Sequence, residues 1–314
     1  MAGKAEVMVE LAGLTKRYDG TTAVEDLTLQ VRRGEIFGLL GPNGAGKTTT
    51  VRMLCCLLRP TSGTAFVGGH EIGMESMRIR EIIGLLPENP GLYPELSAYR
   101  NLDFYARMYG VPEAKRRRRI EELLRMVGLW GRRDEPVGRF SKGMQQKIAI
   151  IRAMVHEPEV LFLDEPTASL SPDAAKIVRD FVQELKRERR TIMMCTHNLY
   201  EAERLCDRVA ILNTRLVAVG STRELERQFG RSKTEIHLEG PARRFVGALK
   251  RVRGVGRVSA EGNRLLVEVE DPDRVNPSIV SAVVGAGGRI RYVTRPPNVL
   301  EEVYLRLVGR NEER

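Results

Sequence analysis

A chain of 314 residues, 42% hydrophobic and 29% charged, has the make-up of an ordinary folded protein and the length of about two domains, which excludes wholesale disorder. No apolar run reaches the roughly 18 residues a membrane helix needs, and the first ten residues carry Lys4, Glu6 and Glu10 rather than an apolar leader core, so neither a bilayer span nor a secretory signal is expected. The net charge of +10 divides evenly, with 33 basic and 28 acidic residues up to position 220 and 18 and 13 beyond it, so no basic tail forms and direct nucleic-acid binding is not expected.

In chain order, Ile36–Leu40, Ile82–Leu86, Val160–Leu163 and Thr191–Cys195 are short apolar runs bounded by polar or turn residues, the pattern of buried strands. Helical patterns lie between them at Thr48–Leu58, Ala98–Tyr109, Glu113–Val127, Lys142–His156 and Pro172–Arg189. Strands alternating with helices predict an α/β fold with a parallel sheet. Val209–Asn213 and Leu216–Val219 read as a hairpin closing this first domain. The basic run Lys115–Arg119 reads as a solvated helix face, with Glu121 and Glu122 as partners for Arg117 and Arg118. Four cysteines form no disulfide framework and no zinc spacing, and are expected as free thiols.

Beyond residue 220 the composition shifts. Ser221–Gly230 reads as a helix leading out. There follow strand Thr234–Leu238, helix Ala242–Val252, strands Gly256–Ala260 and Arg264–Val269, helix Pro277–Ala286 and strand Ile290–Thr294. After Pro296 and Pro297 comes a last helix, Val299–Val308. The order βαββαβ predicts a small α+β, ferredoxin-like domain. Its one histidine, His237, stands alone, so no catalysis is expected there.

Each of the four buried runs is followed by something chemically pointed. After the first, Gly41-Pro42-Asn43-Gly44-Ala45-Gly46-Lys47-Thr48-Thr49 fits the phosphate-loop pattern between a strand and a helix. Glycines let backbone N–H groups turn in on phosphate oxygens, and the helix N-terminus adds partial positive charge. Lys47 is placed to bridge β- and γ-phosphates, and the Thr48 hydroxyl to bind Mg²⁺. The third run ends in Asp164-Glu165, a metal ligand followed by a base for an attacking water. Glu88 follows the second run and His197 the fourth. In open α/β sheets ligands bind outside the carboxyl ends of the strands, so four such features predict one site. Ser141 is a natural helix N-cap, and Gly143 beside it permits close approach.

The phosphate loop, Ser141-Lys142-Gly143-Met144-Gln145-Gln146, Leu163-Asp164-Glu165-Pro166 and Thr196-His197 together resemble the ATP-binding subunits of ABC transporters over about residues 7–220. The resemblance implies a head-to-tail dimer with two ATPs sandwiched, where Ser141 and Gly143 reach the γ-phosphate held by the other subunit. It implies that Tyr18 stacks on adenine, His197 senses the γ-phosphate and Glu165 activates water. Three positions depart from the family pattern: Glu88 stands where glutamine is usual, Lys142 where glycine is, and Ser171 where an aspartate is. The lysine in the signature, the stretch Leu86–Leu96 and the appended C-terminal domain resemble ABC-2 type exporters.

The resulting expectation is a P-loop ATPase domain over residues 1–220, with a helical subdomain at about 90–155 that touches a permease. A linker helix would span 221–232 and an accessory domain 233–314. The partners implied are an integral membrane permease and a second ATPase subunit, a copy or a paralogue, at the cytoplasmic face of the membrane. An importer's ATPase shares these motifs. So does a soluble ABC ATPase acting on nucleic acid or ribosomes, but those usually carry two cassettes or a long coiled coil, and this chain shows one cassette and no sustained heptads.

Overall fold

The computed structural model describes residues 6–89, 91–229, 232–294 and 299–309. Gly230, Pro296 and Pro297, expected as chain punctuation, lie outside the described residues. The chain forms two compact units, Met1–Ser221 and Thr222–Arg314.

The first unit runs β1 (Val7–Tyr18), β2 (Thr21–Arg32), β3 (Ile36–Leu40), α1 (Lys47–Leu54), β4 (Ser62–Val67), β5 (His70–Glu71), α2 (Ser76–Ile82) and β6 (Ile83–Leu86). It continues with α3 (Ala98–Met108), α4 (Glu113–Met126), α5 (Lys142–Ala153), β7 (Val160–Asp164), α6 (Pro172–Arg187), β8 (Thr191–Thr196), α7 (Leu199–Leu205), β9 (Arg208–Asn213) and β10 (Arg215–Gly220). Its main sheet has the order β10-β9-β3-β8-β7-β6, with only the β10–β9 pair antiparallel. Side chains alternate between two cores. Val160 and Phe162 face one, shared with β1, β2 and α1, while Leu161 and Leu163 face the other, shared with α3 to α6. Burial on both faces is why these strands read as unbroken apolar runs. A second sheet, β2-β1-β4-β5, is antiparallel and closes the first core.

α3 and α4 pack on α5 through stripes at helical spacing, Ala98, Leu102 and Ala106 on one and Ile120, Leu123 and Leu124 on the other. Asn101 is fully buried in this bundle. Its Nδ2 donates to the carbonyls of Tyr93, Leu96 and Ser97 at 3.0, 3.2 and 3.1 Å, and its Oδ1 accepts from the Tyr93 N–H at 2.9 Å. One amide side chain thus folds the turn that leads from the Glu88 segment into α3. On α4 the ion pairs differ from the sequence expectation. Arg118 meets Glu122, but Arg117 meets Glu113 and Glu121 meets Arg125. A turn earlier or later on a helix is equally near, and local rotamers decide between them.

The second unit holds α8 (Thr222–Phe229), β11 (Ser232–Leu238), α9 (Val246–Leu249), β12 (Val255–Glu261), β13 (Arg264–Val269), α10 (Pro272–Gly285), β14 (Ile290–Thr294) and α11 (Val299–Gly309). Its antiparallel sheet has the order β12-β13-β11-β14. Ile236, Leu265, Val267, Ile279 and Val283 fill its core. α10 starts five residues before its expected first residue. Asp271 caps it, accepting from the Asp273 N–H at 3.0 Å, and Pro272 takes the first turn. Pro277 sits inside the helix instead of opening it.

Among the described residues no helix is long and apolar enough to cross a membrane. All four cysteines are free, with Cys55 and Cys195 buried.

Candidate functional site

β3 leads into α1 through Gly41 to Gly46, and Lys47, Thr48 and Thr49 form the first turn of the helix. Two of its glycines are obligatory by geometry. Gly46 has φ +96°, and a Cβ there would lie 2.3 Å from the Ala23 carbonyl oxygen. A Cβ on Gly41 would lie 2.4 Å from the Leu212 carbonyl oxygen. α1 begins with no side-chain cap and no acidic residue in its first turn, so its leading N–H groups remain available to an anion. Lys47 folds back under the loop, its Nζ donating to the carbonyls of Gly41 and Pro42 at 2.8 and 3.1 Å and lying 3.7 Å from Glu165 Oε1.

Asp164 closes β7 and is 3% exposed. Its Oδ1 accepts from the Thr48 hydroxyl at 3.2 Å. Burial pushes its carboxyl above the ordinary aspartate range; the Thr48 bond opposes this, and the charges of Glu165 and Glu88 add to it. Glu165 follows with φ +49°, a left-handed conformation that a non-glycine residue adopts at a cost. That twist turns its carboxylate between Lys47 on one side and His197 Nδ1, 3.0 Å from Oε2, on the other.

A cleft of about 650 Å³ opens above these groups. Asn43 to Thr49, Glu88, Glu165 and His197 line it, together with Ala168, Ser169 and Thr196 and with Thr167 and Asn198, the last two of which the sequence reading did not single out. They neighbour Glu165 and His197 in the chain, so adjacency was the available signal. Three expected residues stand elsewhere. Tyr18 ends β1, 43% exposed with Lys16 Nζ 5.1 Å from its ring centre, and does not line the cleft. Ser141 and Gly143 line a separate cleft of about 520 Å³ with Lys142, Lys147 and Ser171. There Ser141 caps α5, accepting from the Met144 N–H, and Ser171 caps α6, accepting from the Ala174 N–H, both at 3.4 Å. A Cβ on Gly143 would lie 2.8 Å from Ala174 Cβ, so glycine lets α5 start against α6.

A glycine loop wrapped on a helix N-terminus, a buried lysine and paired carboxylates at a parallel sheet's carboxyl edge define a P-loop nucleotide-binding protein. The particular family follows from comparison with known proteins. The ABC transporter family model matches residues 24–168. The Nod factor export ATP-binding protein I of Ralstonia nicotianae is 37% identical over 307 residues, covering 96% of this chain and 94% of that one. The linearmycin resistance ATP-binding protein LnrL of Bacillus subtilis is 32% identical, with 96% and 99% covered. Among solved structures, the ATP-binding cassette MJ0796, a dimer in a post-hydrolysis state bound to ADP and Pi, is 25% identical at a TM-score of 0.61, covering 68% of this chain and 98% of that one. The chain belongs to the ABC transporter family and is an ATP-binding subunit with ATPase activity.

Proposed function

We propose that this chain is the ATPase subunit that drives export through a separate membrane permease. The observation that carries the reading is likeness over 96% of the chain, the second unit included, to ATP-binding proteins named for export and for drug resistance. The cleft supports the chemistry. The Gly41–Thr49 loop and the Lys47 ammonium hold the triphosphate, and Lys47 balances charge that builds on the γ-phosphoryl group. Glu165 accepts a proton from the attacking water, and His197 holds that carboxylate in place through its Nδ1.

The site fits Mg²⁺. Thr48 Oγ1 and Asp164 Oδ1 already meet at 3.2 Å, and Glu88 lines the same cleft, giving an all-oxygen donor set suited to a hard cation. Among the described residues no cluster of three or more His, Cys, Asp or Glu is placed to hold a metal unaided. A Mg²⁺ ion beside a nucleotide commonly takes one or two carboxylates together with the phosphates. When bound, Mg²⁺ neutralises phosphate charge. Glu88 brings a second carboxylate where family members carry an uncharged amide.

Ser141 and Gly143 serve a nucleotide held by a second ATPase subunit, since their cleft is separate from the phosphate loop of the same chain. Tyr18, an exposed ring at the end of β1, stacks on adenine. The permease meets the helical segment at residues 90–155, where Tyr93, Phe104, Met108 and Tyr109 expose apolar surface. The second unit is a ferredoxin-like accessory domain. The subunit works at the cytoplasmic face of the membrane. Affinity purification from detergent-solubilised host membranes tests the whole reading. A stoichiometric polytopic membrane protein should co-purify, whereas recovery with ribosomes or alone would contradict it.

A further inference from the structure

Beneath the loops that carry Glu165 and His197 lies a buried carboxylate that the reaction itself does not use. Glu201, in the first turn of α7, has a side chain 1% exposed. Its Oε1 accepts from Arg179 Nη1 of α6 at 2.9 Å, and its Oε2 accepts from the Thr167 hydroxyl. Thr167 stands two residues after Glu165 and lines the nucleotide cleft. Glu201 stands four residues after His197, and its N–H donates to Asn198 Oδ1 at 3.2 Å, which caps the helix. The Asn198 N–H in turn donates to Thr196 Oγ1 at 3.0 Å.

The two loops therefore meet twice. The upper contact, Glu165 to His197, is at the cleft, with the histidine side chain 58% exposed. The lower contact, Thr167 to Glu201, is part-buried, with the Glu201 carboxylate enclosed. A carboxylate taken out of water is costly unless paired and hydrogen-bonded, and Arg179 with Thr167 supplies both. The segment so held needs holding. Glu165 at φ +49° and Ser169 at φ +60° bracket it, both in the left-handed region that non-glycine residues leave unless constrained. A buried bond acts on it from α5 as well, where Gln146 Nε2 donates to the Pro166 carbonyl at 2.8 Å.

We propose that Glu201, anchored by Arg179, is a positioning residue: through Thr167 it fixes the segment bearing Glu165 against the turn bearing His197, so that the two meet at hydrogen-bond distance. The inference rests on the roles proposed for Glu165 and His197. Thr167→Val removes the hydroxyl at nearly constant shape. In the full chain it should lower kcat for ATP by about tenfold or more, as small misplacements at a reacting centre do. KM and the ATP Kd should move less than about twofold, the proportion expected when only transition-state geometry is lost. Thr167→Ser keeps the hydroxyl and should restore the parental rate. The Thr167→Val/Glu201→Gln double variant should be no slower than the slower single variant, because one shared bond is lost once.

A parental kcat in Thr167→Val, or an equal loss in Thr167→Ser, overturns the proposal. Additive losses also overturn it, since Thr167 would then act on the nucleotide directly. If Glu201→Gln does not fold, the two Thr167 variants still decide. Glu165→Gln in parallel separates the two levels. Parental turnover there removes the role of Glu165 itself, whereas slow Glu165→Gln beside parental Thr167→Val removes the positioning claim alone.

Discussion

In the first unit the five strands β9, β3, β8, β7 and β6 run the same way, so the chain leaves β3, β6, β7 and β8 along one edge. Lys47, Glu88, Glu165 and His197 come from four distant stretches of sequence and line one cleft. In the second unit every strand pair is antiparallel, so the chain leaves β11 and β12 at one end of the sheet and β13 and β14 at the other. Glu235 and His237 there are partners on the same strand, β11. His237 stacks on Tyr292 at 4.1 Å and its Nε2 meets Glu235 Oε1 at 2.7 Å. The comparison teaches that strand direction, more than the stock of polar residues, decides where chemistry gathers.

Damage confined to one unit breaks the comparison most sharply. Ile236 is fully buried in the second unit, and Ile236→Ala should cost that unit about 2–5 kcal/mol of stability in a denaturant titration. ATP affinity and turnover should stay at parental values, and a fall in ATP affinity would tie the second unit to the site. Lys47→Ala should do the reverse. Losing a charge-assisted partner for the phosphates should weaken ATP binding by about 10- to 100-fold in calorimetry, while the second unit melts as before.

Smaller effects sharpen the picture of the first unit. Glu88→Gln removes one of the charges that push the Asp164 carboxyl up, and should alter the Mg²⁺ dependence of turnover by a few-fold. An unaltered Mg²⁺ titration would remove Glu88 from the cation site. His156 stacks on Tyr109 at 3.7 Å, and its Nε2 donates to the Ile83 carbonyl at 2.8 Å. Burial holds its imidazole below the ordinary histidine range. The unfolded chain then takes up a proton that the folded chain refuses. Stability should therefore fall as pH drops below about 6.5 toward the depressed value, and level off beneath it. Thermal midpoints of His156→Gln should decline less over that interval; an unchanged slope would place the acid sensitivity elsewhere.

How far the sequence could be read follows the same divide in burial. β3 matched its apolar run residue for residue, and β6, β7 and β8 came within one residue at either end, because a strand covered on both faces has no polar positions to interrupt it. β1, β2 and β4 went unread. They are covered mainly on one face, so their signal is alternation, as in Leu27, Leu29 and Val31 of β2. Along β1 that alternation is broken by register shifts between Leu11 and Leu14, Leu14 and Lys16, and Lys16 and Arg17. Pro277 was read as a helix start, yet the helix tolerates it one turn in, because Asp271 and Pro272 form a stronger start upstream. The phosphate loop, Glu88, Glu165 and His197 were legible because each comes just after a buried run. Glu201 and Arg179 were not, since nothing local marks a polar residue whose partner is more than 20 residues away.

The most direct measurement is of Glu165→Gln, by ATP binding and ATP turnover on the same preparation. The variant keeps the side chain's size and loses its capacity to take a proton. Binding should persist near the parental Kd while turnover falls by about 10²–10⁴-fold, the contribution of a positioned general base. Turnover at the parental rate with binding intact would show that the carboxylate between Lys47 and His197 is not the group that activates water.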